Sequence, residues 1–216
     1  MANLATELPA AGLAERERSG DRAGERTTDR ASATRQALLA AAQEVFTESS
    51  FADANVTDVV ERAGASVGSL YHHFGGKGDV FLALFEEYQQ RQEERATAAV
   101  RLERAAGEMD PVSLFLAGTR AYFEGCWAER SLTRLFLAGG GPTGFELVAR
   151  HRYRDWVRAN SQLLHADGDS LGEALVLVLT AAAAEAGLEL AWRDDELSGA
   201  QLREDVLMLM ARIARR

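Results

Sequence analysis

Val56-Thr-Asp-Val-Val-Glu-Arg-Ala-Gly64-Ala-Ser66-Val-Gly68-Ser69-Leu70-Tyr71-His72-His73-Phe74-Gly-Gly-Lys77 is the stretch that decides the fold. Asn55 offers a helix N-cap just before it, and Asp58 three residues on makes a capping-box-like pair. Val56, Val59, Val60 and Ala63 recur at helical spacing and form one buried stripe. Gly64 ends this helix, since the position after a helix commonly takes the left-handed conformation that glycine enters without strain. Ser66 caps a second short helix whose Leu70 and Phe74, four apart, point back to a core. Gly75-Gly76 closes it. The stretch predicts two short helices joined by a tight turn, a helix-turn-helix.

In such a unit the second helix enters a DNA major groove by its N-terminal end. Close approach needs small side chains on the first turn, and Val67, Gly68 and Ser69 fit. Gly68 has nothing to hold the helix off, Ser69 can donate or accept, and Val67 can pack a thymine methyl. Tyr71, His72 and His73 diverge by about 100° per residue. They therefore divide their work: Tyr71 and His73 reach toward the flanking phosphate strands, and His72 reaches backbone or packs outward. Asn55, Ser66 and Lys77 supply further phosphate contacts. The adjacent histidines do not read as metal ligands, because they diverge and lack Cys or Asp/Glu partners at ligand spacing. No metal or cofactor is expected.

The flanks agree. Leu38, Ala41, Ala42, Val45 and Phe46 predict a first helix from Ala33 to about Glu48. Phe81, Leu84, Phe85 and Tyr88 open a long fourth helix that fades into a charged, alanine-rich stretch near Ala106. The run Ala63-Gly64-Ala65-Ser66-Val67-Gly68-Ser69-Leu70-Tyr71-His72-His73-Phe74, followed by Lys77 and Val80, resembles the signature of the tetracycline-repressor-like (TetR) regulators over roughly residues 33–85. The sequence departs from it at Ser50, where a glycine usually follows the first helix. It departs again at Ala54-Asn55, where paired threonines are usual, which alters one phosphate contact. The resemblance implies an all-α homodimer that binds a palindromic double-stranded operator, usually as a repressor. It implies an N-terminal three-helix DNA-binding domain (32–80) and a larger helical ligand-binding and dimerisation domain (81–216).

The bulk composition is compatible but not generous. At 216 residues the chain accommodates one large or two unequal domains, and 47% hydrophobic residues with only 3 prolines favour a helical core. A formal net charge of −9 argues against sequence-independent DNA binding, which rests on clustered positive charge. Helix N-termini and hydroxyl groups must then hold phosphates. Lone Cys126 forms no internal disulfide, no secretory signal is visible, and the longest apolar run, Ala174 to Ala184, is too short to span a bilayer. These features make a cytoplasmic protein without membrane attachment the expectation. Residues 1–31 mix arginines, acids and glycines and read as a flexible tail, with Arg22, Arg26 and Arg30 as the alternative of a DNA-touching arm.

Beyond Asp110-Pro111, an N-cap followed by a proline at the first helical position, helices are expected at about 111–127, 131–138, 144–165, 171–192 and 198–214. Phe115, Tyr122, Phe123, Trp127, Phe136, Tyr153 and Trp156 make an apolar cavity and a small apolar or aromatic effector the expectation. Arg150, Arg154 and Arg158, in a row beside Tyr153 and Trp156, read either as a solvated face or as a site for an acidic group on that effector. The last two helices carry more apolar surface than one core stripe needs. Leu175, Leu179, Ala183, Gly187, Val206 and Met210 are the candidates for a dimer seam. No catalytic constellation emerges. The rival reading is a helical ligand-sequestering protein or enzyme whose helix-turn-helix is vestigial.

Overall fold

The computed structural model of the chain describes residues 11–166 and 170–215, with only the backbone for 11–29. Among these residues it is all-α, in nine helices. They are α1 (Ala11–Asp53), α2 (Val56–Arg62), α3 (Val67–Phe74), α4 (Lys77–Ala105), α5 (Pro111–Ala128), α6 (Arg130–Leu137), α7 (Phe145–Leu164), α8 (Ser170–Ala191) and α9 (Glu196–Ala214).

α1 to α3 form a small head, α4 leaves it as a long strut along which α5 packs, and α6 to α9 assemble around α5. Leu38, Leu39, Ala42, Val45 and Phe46 of α1 meet Val59 and Val60 of α2 and Leu70 and Phe74 of α3 in one core. That core continues without a break into Val80, Phe81, Leu84, Phe85 and Tyr88 of α4, Leu132 and Phe136 of α6, and Phe145 of α7. The boundary expected at residue 80 therefore falls inside a continuous helix and a continuous core. A second core lies beyond it, where Phe115 and Phe123 of α5 pack on Leu179 and Leu190 of α8 and Leu207 and Met210 of α9.

Glycines let the body helices close up. A Cβ on Gly125 of α5 would collide with the Gln92 side chain of α4. Buried Gln92 donates from Nε2 to Glu129 at 3.4 Å, and the same carboxylate takes Arg91 and Arg95 at 2.7 Å each. Asp110 and Asp195 cap α5 and α9 by accepting from the Ser113 and Ser198 amides. Both carboxyls are held below their usual range, Asp110 chiefly by the Ser113 hydroxyl and Asp195 chiefly by the Ser198 amide.

Two expectations change. Residues 11–31, read as tail, are helical backbone continuous with α1. The composition argument weighed only burial, whereas Ala, Arg and Glu are strong helix formers and a packed helix downstream removes the cost of nucleation. Residues 1–10 and the side chains of Arg22 and Arg26 lie outside what is described, and Arg30 is exposed. The second change concerns α8. By length and composition this helix could cross a bilayer, contrary to the estimate from its uninterrupted apolar run. Yet Val176, Leu179, Thr180, Gly187 and Leu190 are buried within the protein, as in the core helix of a folded domain.

Near its C-terminal end α1 is broken at Ser50, with φ 71° and ψ 166°. This region of backbone space is essentially reserved for glycine, and a side chain there costs of order 1–3 kcal/mol. Ser50 recovers part of it locally, since its hydroxyl donates to Asp53 Oδ2 at 3.1 Å. Replacing it with glycine relieves the Cβ clash and loses that weak exposed bond. Ser50→Gly should raise stability by about 1 kcal/mol, seen as a thermal midpoint about 2–4 °C higher. A lower midpoint would contradict the strain argument.

Candidate nucleic-acid interface and effector cavity

α2 and α3 are short, and their relative angle is set by the turn between them. Gly64 adopts φ +61° with nothing within 4 Å of the place a Cβ would take, so its glycine serves backbone conformation alone. The Ala65 amide closes the turn on Val60 O at 2.9 Å. Ser66 then caps α3, its hydroxyl accepting from the Ser69 amide at 3.1 Å. At the other end Gly75, at φ 67°, ends α3 in the left-handed conformation. Leu70 and Phe74 anchor the inner face, and the outer face is presented to solvent.

That outer face carries the residues expected for it. Val67 and Tyr71, one turn apart, are 44% and 53% exposed. Gly68 and His72 form a parallel exposed row, while Ser69 and His73 are half-buried beside them. The two imidazoles meet edge-on with centroids 5.2 Å apart. Gly68 differs from Gly64. No positive φ requires it, and a Cβ would meet only Ser66 Oγ at 3.8 Å. Glycine inside a helix costs about 0.5–1 kcal/mol relative to alanine, and no contact within the described chain uses what that cost provides. The backbone of this first turn is left open to solvent.

Two expected contacts are placed differently. Asn55 occupies the N-cap position of α2 but makes no side-chain cap, and its amide reaches Asp53 O at 3.5 Å. The pairing expected with Asp58 is not formed. Lys77 Nζ turns inward to the carbonyls of Phe51, Ala52 and Ala54. The other cations of residues 33–80 are engaged too. Arg62 pairs with Glu48 at 2.9 Å and Glu44 at 3.6 Å, and Arg35 pairs with Glu87 at 3.3 Å.

The body holds a partly open cavity of about 280 Å³ between α4, α5, α7 and α8. Of the expected wall residues, Phe115, Tyr122, Tyr153 and Trp156 line it. The Tyr122 and Trp156 rings lie 6.0 Å apart. Phe123 instead belongs to the second core. Trp127 packs over Gly199, where a Cβ would sit 3.3 Å from its ring, and carries Arg130 on its face at 5.2 Å. Phe136 stacks into the head-side core against Phe81 and Phe85. Large aromatic side chains fill cores as readily as they wall cavities, and spacing alone does not separate the two.

Sequence reasoning missed the polar wall. Trp156 Nε1 donates to Gln89 Oε1 at 3.2 Å, and Asn160 Nδ2 donates to Thr180 Oγ1 at 3.0 Å. Asn160 follows Tyr153 and Trp156 on one helical face, and that spacing was the available signal. Among the described residues, no Asp, Glu, Lys, Arg or His lines the cavity. Burial pushes the Tyr122 hydroxyl well above its ordinary pKa, and pushes the neighbouring Cys126 thiol up to about 11. Both stay neutral. Arg150, Arg154 and Arg158 are exposed, and Arg158 pairs with Asp155 at 3.1 Å, so the row is a solvated face. Arg152 between them makes the inward contact, to Glu86 of α4.

The expected dimer seam lies mostly inside the protomer. Leu179 and Met210 are buried in the second core, with Leu175 and Val206 partly buried against it. Ala183 faces the cavity. A Cβ on Gly187 would sit 2.9 Å from Cys126 Sγ and Tyr122 Cε1 of the same chain. α8 is apolar over most of its circumference, and its three glutamates, Glu173, Glu185 and Glu189, all lie exposed. The outer face exposes Leu177, Val178, Ala181 and Ala182, and α9 adds Met208, Leu209 and Ile213.

Residues 38–84 match the family model of bacterial regulatory proteins of the tetR family. The HTH-type transcriptional repressor BepR of Brucella suis biovar 1 is 35% identical over 78 residues, 36% of this chain and 37% of BepR. The matched stretch thus spans little more than a third of that relative. A TetR-family transcriptional regulator from Pectobacterium atrosepticum is similar over 84% of this chain and 92% of its own, at 26% identity and a TM-score of 0.56. The transcriptional regulator FadR from Bacillus subtilis, solved in complex with stearoyl-CoA, shares the fold at a TM-score of 0.68 and 15% identity, over 82% and 97% of the two chains.

Gly68→Ala should raise stability by about 0.5–1 kcal/mol, read as a higher thermal midpoint. A lower midpoint would mean that the glycine has an internal role.

Proposed function

This chain belongs to the TetR family of bacterial helix-turn-helix regulators, and on that premise we propose that it holds a palindromic operator as a homodimer and releases it when a small neutral molecule fills its cavity. Residues 32–80 are the reading head and 81–216 the effector-binding and dimerisation part, with α4 common to both. The observation that carries the proposal is the outer face of α3. It has a capped, exposed N-terminal turn and a glycine whose added Cβ would meet only Ser66 Oγ, at 3.8 Å. The family is one of regulators, which removes the support for an enzyme with a vestigial head. The cytoplasm is where such a regulator would meet its DNA.

Val67, Gly68 and Ser69 enter the groove, while Ser66, Tyr71, His72 and His73 position the head on the backbone. With Arg35, Arg62 and Lys77 engaged internally, few phosphates are met by free cations, and affinity depends weakly on salt. The second copy docks on the apolar strip of α8 and α9. Leu177, Val178 and Leu209, about half exposed, form a face left open by the rest of the described protomer, and adjacent antiparallel helices make a self-complementary surface under two-fold symmetry.

The effector is apolar or aromatic and uncharged. A cavity of about 280 Å³ lies at the small end of ligand pockets, which run from roughly 300 to 1,000 Å³. One or two rings fill it, lying against Trp156 and Tyr122, with Gln89, Asn160 or Thr180 to meet a hydroxyl. The stearoyl-CoA carried by the Bacillus subtilis neighbour is not the ligand inferred here, because no cation among the described residues lines this cavity to meet phosphate or carboxylate.

Duplexes selected by the protein from a random pool should be palindromic and bind at about micromolar affinity or tighter, and Gly68→Ala should weaken them while leaving the dimer intact. Absence of any duplex binding would sink the proposal. 1-Naphthol should raise the thermal midpoint and loosen the selected duplex, whereas 1-naphthoate, equal in shape but charged, should do neither. Val178→Asp should halve the mass seen by light scattering, because it places a charge at the centre of the strip. A Val178→Asp protein that stays dimeric would put the interface elsewhere.

A further inference from the structure

We propose that Lys77 is a positioning residue that clamps the end of α1 to the start of α4, and that it does not serve as a phosphate contact. Its Nζ donates to Phe51 O and Ala54 O at 2.8 Å each and to Ala52 O at 3.4 Å. An ammonium has three N–H donors, so none is left over. The same nitrogen lies 4.5 Å from the centroid of the Phe51 ring, and that ring packs on Phe46 and Phe81 of the head core.

The charges favour this arrangement. Lys77 is the first residue of α4, where the positive end of the helix dipole disfavours a cation, and the last carbonyls of α1 form a negative end. Those carbonyls are orphaned by the end of the helix and need donors. The side chain leaves one helix end and satisfies the other. In doing so it joins the turn between α1 and α2 to the turn between α3 and α4, and α3 hangs between these two turns.

The choice of residue carries the same message. The chain holds 24 lysines and arginines, and Lys77 is the only lysine. A compact ammonium with three tetrahedral donors suits three converging carbonyls, whereas the planar fork of arginine suits phosphate and carboxylate. In a protein that otherwise uses arginine throughout, lysine stands where arginine's geometry fails. The clamp fixes the angle at which α3 is presented, so the role rests on the proposed DNA binding for its use but not for its existence.

Two variants of the full chain test it, Lys77→Met and Lys77→Arg, with fluorescein-labelled duplex selected from a random pool by the unmodified protein. Lys77→Met should lower the thermal midpoint by about 3 °C or more and speed amide exchange in residues 51–56. It should weaken the duplex several-fold with an unchanged slope of log affinity against log salt, whereas loss of a phosphate contact reduces that slope by about one. Lys77→Arg decides the matter if the methionine variant does not fold. Arginine replaces lysine well at a phosphate, so a Lys77→Arg protein that keeps both midpoint and affinity overturns the clamp. So does a Lys77→Met protein with unaltered midpoint and exchange and a salt slope smaller by about one. If no duplex is ever selected, the functional proposal falls, while the midpoint and exchange measurements still decide whether Lys77 clamps α1 to α4.

Discussion

The ring of Phe81 is fully buried among rings from both ends of the molecule. Phe46 and Phe51 of α1 approach it at 5.7 and 5.0 Å, and Phe136 of α6 and Phe145 of α7 at 5.2 and 5.0 Å. Head and body are therefore not two folded units on a linker. They share a helix, and they share an aromatic cluster of one core. Interiors pack too tightly for one side of such a cluster to move alone. Any displacement of α4 carries the head with it, and the orientation of α3 follows from where α4 lies.

Geometry, more than charge, sets what the head offers. Residues 33–80 place their cations on carbonyls and carboxylates of the same chain, and the exposed face of α3 shows hydroxyl, aromatic and imidazole groups. Backbone positions are tuned accordingly. Gly64 and Gly75 supply left-handed turns at either end of the reading unit, while Gly68, under the proposed function, gives up helix stability for access. Ser50 goes the other way, holding a glycine conformation with a side chain that reaches Asp53. These four departures from the locally best residue sit within the head, where local consistency and outside use compete.

The reading unit was legible because its signals are local. A capping serine, a left-handed glycine and two apolar residues four apart are read from neighbours in sequence, and Ser66, Gly64, Leu70 and Phe74 all take those places. What the sequence concealed depends on partners distant along the chain. Lys77 looked like a free cation because the carbonyls that hold it lie more than twenty residues earlier. Phe123, Trp127 and Phe136 looked like cavity wall because aromatic residues at helical spacing serve either purpose. α8 carries apolar residues on two faces, and Leu179 and Gly187, expected at a seam, lie on the inner one. The exposed arginine row of α7 drew notice away from Arg152, the arginine beside it that pairs inward with Glu86. Charge pairing between helices has no local signature.

The cavity and the head meet at Phe85. Its ring lines the cavity and also packs on Phe136 and Phe145, one turn along α4 from Phe81. α7 is strutted to the same stretch by Arg152 on Glu86 and Trp156 on Gln89. A molecule lying against Trp156 must therefore accommodate the Gln89 bond or replace it, and either choice bears on α4. Under the proposed function, the ligand can shift the head only by as much as it prefers one placement of α4 over another. A coupling of about 1–3 kcal/mol is typical of such systems, comparable to a hydrogen bond or two and a modest change in ring packing. One strut and one shared ring are on that scale. The same linkage runs backward, so DNA that fixes the spacing of two heads must loosen the cavity to the same degree.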